Sequence, residues 1–370
     1  MGRSLGLAVL FAGMLPVFAL AGDSTAPVPL KVVGNRLLYR TGQPAQLRGV
    51  NCASLEWSCD GAGHILKSVQ VAVTEWNANL IRLPLCQDRW FGKTSEQQDG
   101  GAAYRALVGQ LIDLCATNHA YIVLDLHWSD AGVWGQNIGQ HNLPDTNSIL
   151  FWKDVAATYK NRPAVLFDLY NEPSHITWDQ WLKGGPMTED DKEHHVKLSY
   201  QAAGMQALVD AIRSTGASNV LTVSGINWAY EFEGIPQSHQ LSDPGGNGII
   251  YAAHPYPHAY EKIGHETLAK WTARMEAFAA KEPLIVLEFG SIESLWPFPK
   301  SWDCNDEKWN REMIRVLEAH GWSWAAWDFH TTAWPCVIAD WNYTPTPHFG
   351  VWVKQALAAN LGPAQPPAKK

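Results

Sequence analysis

Short runs rich in Val, Ile and Leu alternate along this chain with longer stretches whose apolar positions recur every three or four residues. The short runs span 47–53, 80–85, 121–127, 165–171, 220–224, 249–254, 284–289 and 322–329, and read as eight strands buried on both faces. The helical patterns between them cover 65–76, 103–115, 149–159, 192–212, 267–280 and 308–319, with 351–359 closing the series. The fifth unit, around 228–235, is poorly helical. Ahead of the first strand, 30–39 with a turn at Gly34 and Asn35 predicts a hairpin that plugs the floor. Eight βα units predict an α/β protein, a (β/α)8 TIM barrel with a short N-terminal hairpin and long loops at its C-terminal face.

Residues 1–21 stand outside this pattern. Arg3, an apolar run and Ala19-Leu20-Ala21 predict a signal peptide, and hence a secreted protein, periplasmic or extracellular. Residues 22–361 are then one catalytic-size domain, and 362–370, rich in Pro and Lys, a disordered tail. The net charge is −8, with the cations scattered, so a nucleic-acid partner is excluded. After signal cleavage no membrane association is expected, and the chain is expected to be a monomer. The six cysteines suit an oxidising compartment. Cys304 and Cys336, in the loops after the last two strands, predict one disulfide. Cys52 and Cys59 predict a second, and Cys115 a buried free thiol. With no CxxC pair, no zinc site is expected.

In a barrel of this kind chemistry sits where strands end. The ends present Arg82, then His127 with Trp128, then Asn171-Glu172-Pro173, His254 with Tyr256, Glu288 and Trp327. Two opposed carboxylates are what cleavage of a glycosidic bond requires. Glu288 is expected to be the nucleophile, held ionised by Arg82 and the Tyr256 hydroxyl. Glu172 is expected to be the acid/base, with the Asn171 amide donating to the sugar 2-hydroxyl. His127 and His254 would bind hydroxyls or orient the carboxylates, and Trp327 would face the reacting ring. A structural ion-pair network is the competing account of the same residues.

The ordered set resembles glycoside hydrolase family 5, from about residue 30 to 361. The matching positions are Arg82, His127, Asn171 and Glu172, His254 and Tyr256, Glu288, and Trp327. The resemblance implies a retaining glycosidase with no metal or organic cofactor. From the family it implies a cellulase-like endo-β-1,4-glucanase acting on a β-linked polysaccharide or oligosaccharide. A β-mannanase, xyloglucanase or transglycosylase on the same catalytic groups stays open, as does a carbohydrate-binding barrel without activity. Insertions at 129–147, 178–191 and 330–348 should reshape the cleft rim. Among 19 tryptophans, Trp57, Trp90, Trp128, Trp134, Trp228 and Trp334 lie in loops after strands and are candidate sugar platforms. Glu189-Asp190-Asp191 reads as the cap of the 192–212 helix, with His194 and His195 on its surface.

Overall fold

The computed structural model describes residues 27–191, 196–257, 267–291 and 306–361. The expected signal peptide and tail, Cys304, His194 and His195 lie outside those residues.

The chain opens with an antiparallel hairpin, β1 (Leu30–Val33) and β2 (Arg36–Tyr39), in which Val33 pairs with Arg36 across the Gly34-Asn35 turn. Then come β3 (Arg48–Asn51), β4 (Leu80–Cys86), β5 (Tyr121–Trp128) and β6 (Val165–Asp168). A second antiparallel hairpin follows, β7 (Gly184–Asp191) with β8 (Val196–Ala203). The remaining strands are β9 (Leu221–Ser224), β10 (Ile249–Ala253), β11 (Leu284–Val286) and β12 (Ser323–Ala326). Strands β3, β4, β5, β6, β9, β10, β11 and β12 pair in that order, all parallel, and β12 pairs with β3 to close the barrel. All eight expected barrel strands are therefore present, most of them shorter than their apolar runs. The fifth unit lacks a regular helix, as expected: Ile226–Ala229 is a single distorted turn.

Side chains alternate across each strand, so the barrel has two apolar sets. One, with Val50, Ile81, Ile122, Leu124, Phe167 and Val286, packs outward against the helices. The other gathers Leu80, Val123, Leu166, Ile250 and Ile285 with Leu30 and Leu37 of the first hairpin. That second set fills the floor of the barrel, and the hairpin seals it as expected. The strands approach closely there: a Cβ at Gly49 would lie 1.7 Å from the Leu80 carbonyl oxygen.

The 192–212 helix is a correction. Its first half is β8, and only Met205–Arg213 is helical. The alternation of Val196, Leu198 and Tyr200 is a period of two, and pairing with β7 satisfies it. Glu189 consequently sits in a strand rather than in a helix cap. Cys52 and Cys59 are another correction, because both are free thiols. The Cys59 Sγ accepts instead from Arg89 Nη1 at 3.0 Å. Cys115 is free and buried, as expected. Cys336 is also free, and its expected partner lies outside the described residues.

Candidate functional site

The inward column that is apolar at the floor becomes charged toward the mouth. Two residues beyond Leu80 comes Arg82. Two and four beyond Val123 come Asp125 and His127, two beyond Leu166 comes Asp168, and four beyond Ile250 comes His254. Residues two apart on a strand share a face, so these side chains converge at one end of the barrel.

Arg82 is the hub and is fully buried. Its Nε donates to Asp168 Oδ2 at 2.9 Å, and Nη1 donates to Glu288 Oε1 at 2.5 Å and to Asn51 Oδ1 at 3.1 Å. Nη2 donates to Asn171 Oδ1 at 2.9 Å and lies 3.0 Å from Asp125 Oδ2. One cation thus faces three buried carboxylates, and the surplus negative charge favours protons. Burial pushes both Asp125 and Asp168 up to about 7 against the pull of Arg82.

The two glutamates lie opposite one another. A carboxyl oxygen of Glu172, one of Glu288 and a ring nitrogen of His254 all fall within 4.8 Å of one another. Two acids and an imidazole could in principle hold a metal ion. However, Glu288 already accepts from Arg82, and from the Tyr256 hydroxyl at 2.7 Å. This set is served by hydrogen-bond donors.

Their environments differ. Burial and the neighbouring Glu288 charge hold Glu172 well above the usual carboxylate range. Burial also raises Glu288, but Arg82 and the Tyr256 hydroxyl pull it back. His254 is fully buried, and burial followed by the Arg82 charge keeps it neutral. Its Nδ1 lies 3.0 Å from Glu172 Oε1 and 3.7 Å from Glu288 Oε1. Glu172 has φ +48°, a left-handed backbone uncommon for a residue with a side chain. The pair suits a proton on Glu172 and a charge on Glu288.

His127 is neutral as well, lowered to about 3 by burial and then by Arg82. Its Nδ1 donates to Asp125 Oδ2 at 2.6 Å, and its ring lies parallel to Trp327 at 5.5 Å between centroids. The Asn171 amide departs from expectation. In this structure Nδ2 donates to Gln140 Oε1 at 2.7 Å and lies 3.3 Å from His127 Nε2, so neither hydrogen is free.

The aromatic candidates divide. Trp90 is a correction: it is fully buried, its Nε1 donates to Asp154, and it packs on Phe151 and Tyr159. A Trp just past a strand was taken into the helical layer by an apolar pocket below the rim. Trp57 remains partly exposed and meets His330 edge-on, while His330 meets Trp341 and His64 stacks on Trp341. Trp128 is partly exposed; so is Trp134, which contacts Phe91, and Trp228, which contacts His175. Trp334 is half exposed.

Asn51, Asp125, Asp168, Glu56, Asp328 and Gln140 were not foreseen as site residues. Asp125 and Asp168 carried a signal, as lone acids at inward positions of apolar strands beside an inward Arg82. Glu56 and Asp328 carried none, because only the folded loops bring these two buried acids together.

A closed parallel barrel with two unlike, closely opposed carboxylates at its C-terminal mouth is the architecture of the retaining glycoside hydrolases. Residues 38–332 match the family described as cellulase, glycosyl hydrolase family 5, and the chain belongs to that family. It is similar to endoglucanase MaCel5A of a Microbulbifer species, at 24% identity over 341 residues, 89% of this chain and 58% of that protein. Two further endoglucanases, from Evansella cellulosilytica and Dickeya dadantii, are matched over 26% and 51% of their lengths. The chain therefore spans little more than half of these relatives at most. Among solved structures, β-glucanase SdGluc5_26A of Saccharophagus degradans superposes with a TM-score of 0.70 at 21% identity, covering 95% of this chain and 98% of that one. The catalytic domain of a mannanase from a Streptomyces species superposes at 0.63 and 20% identity, covering 93% and 94%.

Proposed function

We propose that the protein is a retaining endo-β-1,4-glucanase that works by double displacement. The observation that carries this reading is the pairing of Glu172 and Glu288 with oxygens within 4.8 Å. Retaining enzymes place the carboxyl groups about 5–5.5 Å apart, whereas a water-sized gap would separate them in an inverting one.

Glu288 attacks the anomeric carbon as Glu172 passes its proton to the departing glycosidic oxygen. Glu172, now ionised, then takes a proton from water. That water attacks the anomeric carbon, and the bond to Glu288 breaks. Arg82 and Tyr256 hold the attacking carboxylate, and the neutral His254 donates from Nδ1 to Glu172. Asn171 receives the 2-hydroxyl of the reacting ring, a contact that tightens as positive charge grows on that ring. Trp327 forms the floor under it, and the partly exposed Trp57, Trp128, Trp134, Trp228 and Trp334 offer platforms for neighbouring sugars. Glucan is favoured by the endoglucanase relatives and by a neighbour solved with cellotetraose. The mannanase neighbour makes mannan the second substrate to test. Export through residues 1–21 completes the reading, and the mass of the mature protein checks it.

A panel of β-glucan, mannan and xyloglucan with products sized over time tests the substrate, and proton NMR of the first anomer tests the mechanism. The expected result is internal cleavage of glucan with a β-product. An α-product, or Glu288→Gln turning over every glycan at the wild-type rate, would sink the assignment.

A further inference from the structure

Asn171 can donate to a sugar only by releasing one of its two present acceptors. His127 is a poor candidate to yield, since it is buried, tied to Asp125 at 2.6 Å and packed against Trp327. Gln140 is different. It is exposed on the 129–145 loop, its side chain has three rotatable bonds, and it sits at the cleft with Oε1 2.7 Å from Asn171 Nδ2. Its Nε2 donates to the Asn171 carbonyl oxygen at 2.8 Å, which keeps the amide beside the site when Oε1 gives way.

We propose that Gln140 is a specificity-determining residue whose Oε1 accepts the proton of the sugar 2-hydroxyl while Asn171 Nδ2 donates to the oxygen of that same hydroxyl. This rests on the reading that the reacting ring of a β-glycoside lies beside Asn171. A hydroxyl is donor and acceptor at once, so it inserts into the amide-to-amide hydrogen bond and leaves neither amide unsatisfied. A ring without that hydroxyl leaves the Asn171–Gln140 bond intact and gains nothing from it.

The test is a comparison of kcat/KM for an aryl β-cellobioside and its counterpart lacking the 2-hydroxyl on the ring next to the aglycone. Wild type, Gln140→Ala and Asn171→Ala are measured on both, and melting confirms that each is folded. Gln140→Ala should lose about tenfold on the hydroxylated substrate, the worth of one neutral hydrogen bond, and less than about twofold on the deoxy one. Equal losses on both substrates would overturn the proposal, since Gln140 would then only brace the Asn171–Glu172 peptide. Asn171→Ala should erase the preference for the hydroxyl. If that variant keeps it, the placement of the ring beside Asn171 is wrong. A wild-type enzyme inert on both substrates would count against the glycosidase reading itself.

Discussion

Two groups of buried carboxylates lie near each other at the barrel mouth, and they are neutralised in opposite ways. Around Arg82, three acids share a guanidinium that reaches each of them directly. Beyond the ends of β4 and β5, Asp88, Asp130 and Asp145 are also fully buried, but amides serve them. Asp130 accepts from Gln87, Asn147 and the Gly132 N–H, and Asp88 accepts from the Gly135 N–H. Asp145 caps helix Thr146–Tyr159 through the Asn147 and Ser148 N–H groups. Amide dipoles hold a carboxyl in place without cancelling its net charge. Burial and the Asp145 charge therefore raise Asp130 to about 9, and it keeps its proton. A guanidinium does cancel charge, so Glu288 can stay ionised in a buried place. The first group keeps a charged carboxylate at the mouth; the second shapes the loop that carries Gln140.

The largest expected effect comes from removing that cation. Arg82→Met should lower kcat by about 1000-fold or more, because Glu288 would then hold a proton. Breaking buried ion pairs from one side should also cost about 3–5 kcal/mol of stability, visible as a lower melting temperature. Normal kcat in this variant would place the origin of the Glu288 charge elsewhere.

An intermediate effect concerns pH. The proposed double displacement needs Glu172 protonated and Glu288 ionised. Activity should therefore fall on the alkaline side as pH rises through the raised Glu172 value, and on the acid side as pH drops through that of Glu288. Both limbs should lie above the ordinary glutamate range, with the wider displacement on the alkaline side. With an aryl glycoside whose leaving group needs no proton, Glu172→Gln should lose the alkaline limb of kcat/KM. Persistence of that limb would assign it to another group.

The smallest effect belongs to the amide-served group. Asp130→Asn should leave kcat within about twofold, since the Asn amide can supply the hydrogen that the protonated acid supplied. An acid whose folded pKa is raised contributes its full stability below the unfolded value near 4, and loses it as pH rises toward 9. The variant should thus gain melting temperature relative to wild type at pH 8 and not at pH 4. A large loss of activity would show that this group takes part in the chemistry.

Much of this was readable along the chain, for a local reason. The eight apolar runs, the turn at Gly34-Asn35 and the order Arg82, His127, Asn171-Glu172, His254-x-Tyr256, Glu288, Trp327 depend only on what each residue does within its own strand. Errors arose where a neighbour decides. The run at 192–212 became β8 and a short helix because β7 lay beside it to be paired. Trp90 became packing because Phe151 and Tyr159 were there to receive it. Cys52 and Cys59, seven residues apart, stayed free thiols, with Cys59 turned toward Arg89.

The sequence by itself determined the barrel and which two glutamates stand at the ends of its strands, since strand period and strand ends are one-dimensional properties. Only the tertiary structure decided how those glutamates differ. Arg82, Asp125, Asp168, Tyr256 and His254 meet across the barrel from four strands and their ends, and the energies of buried charges depend on distances that no spacing along the chain contains. The same holds for Gln140, whose grip on Asn171 exists because an inserted loop folds back over the mouth.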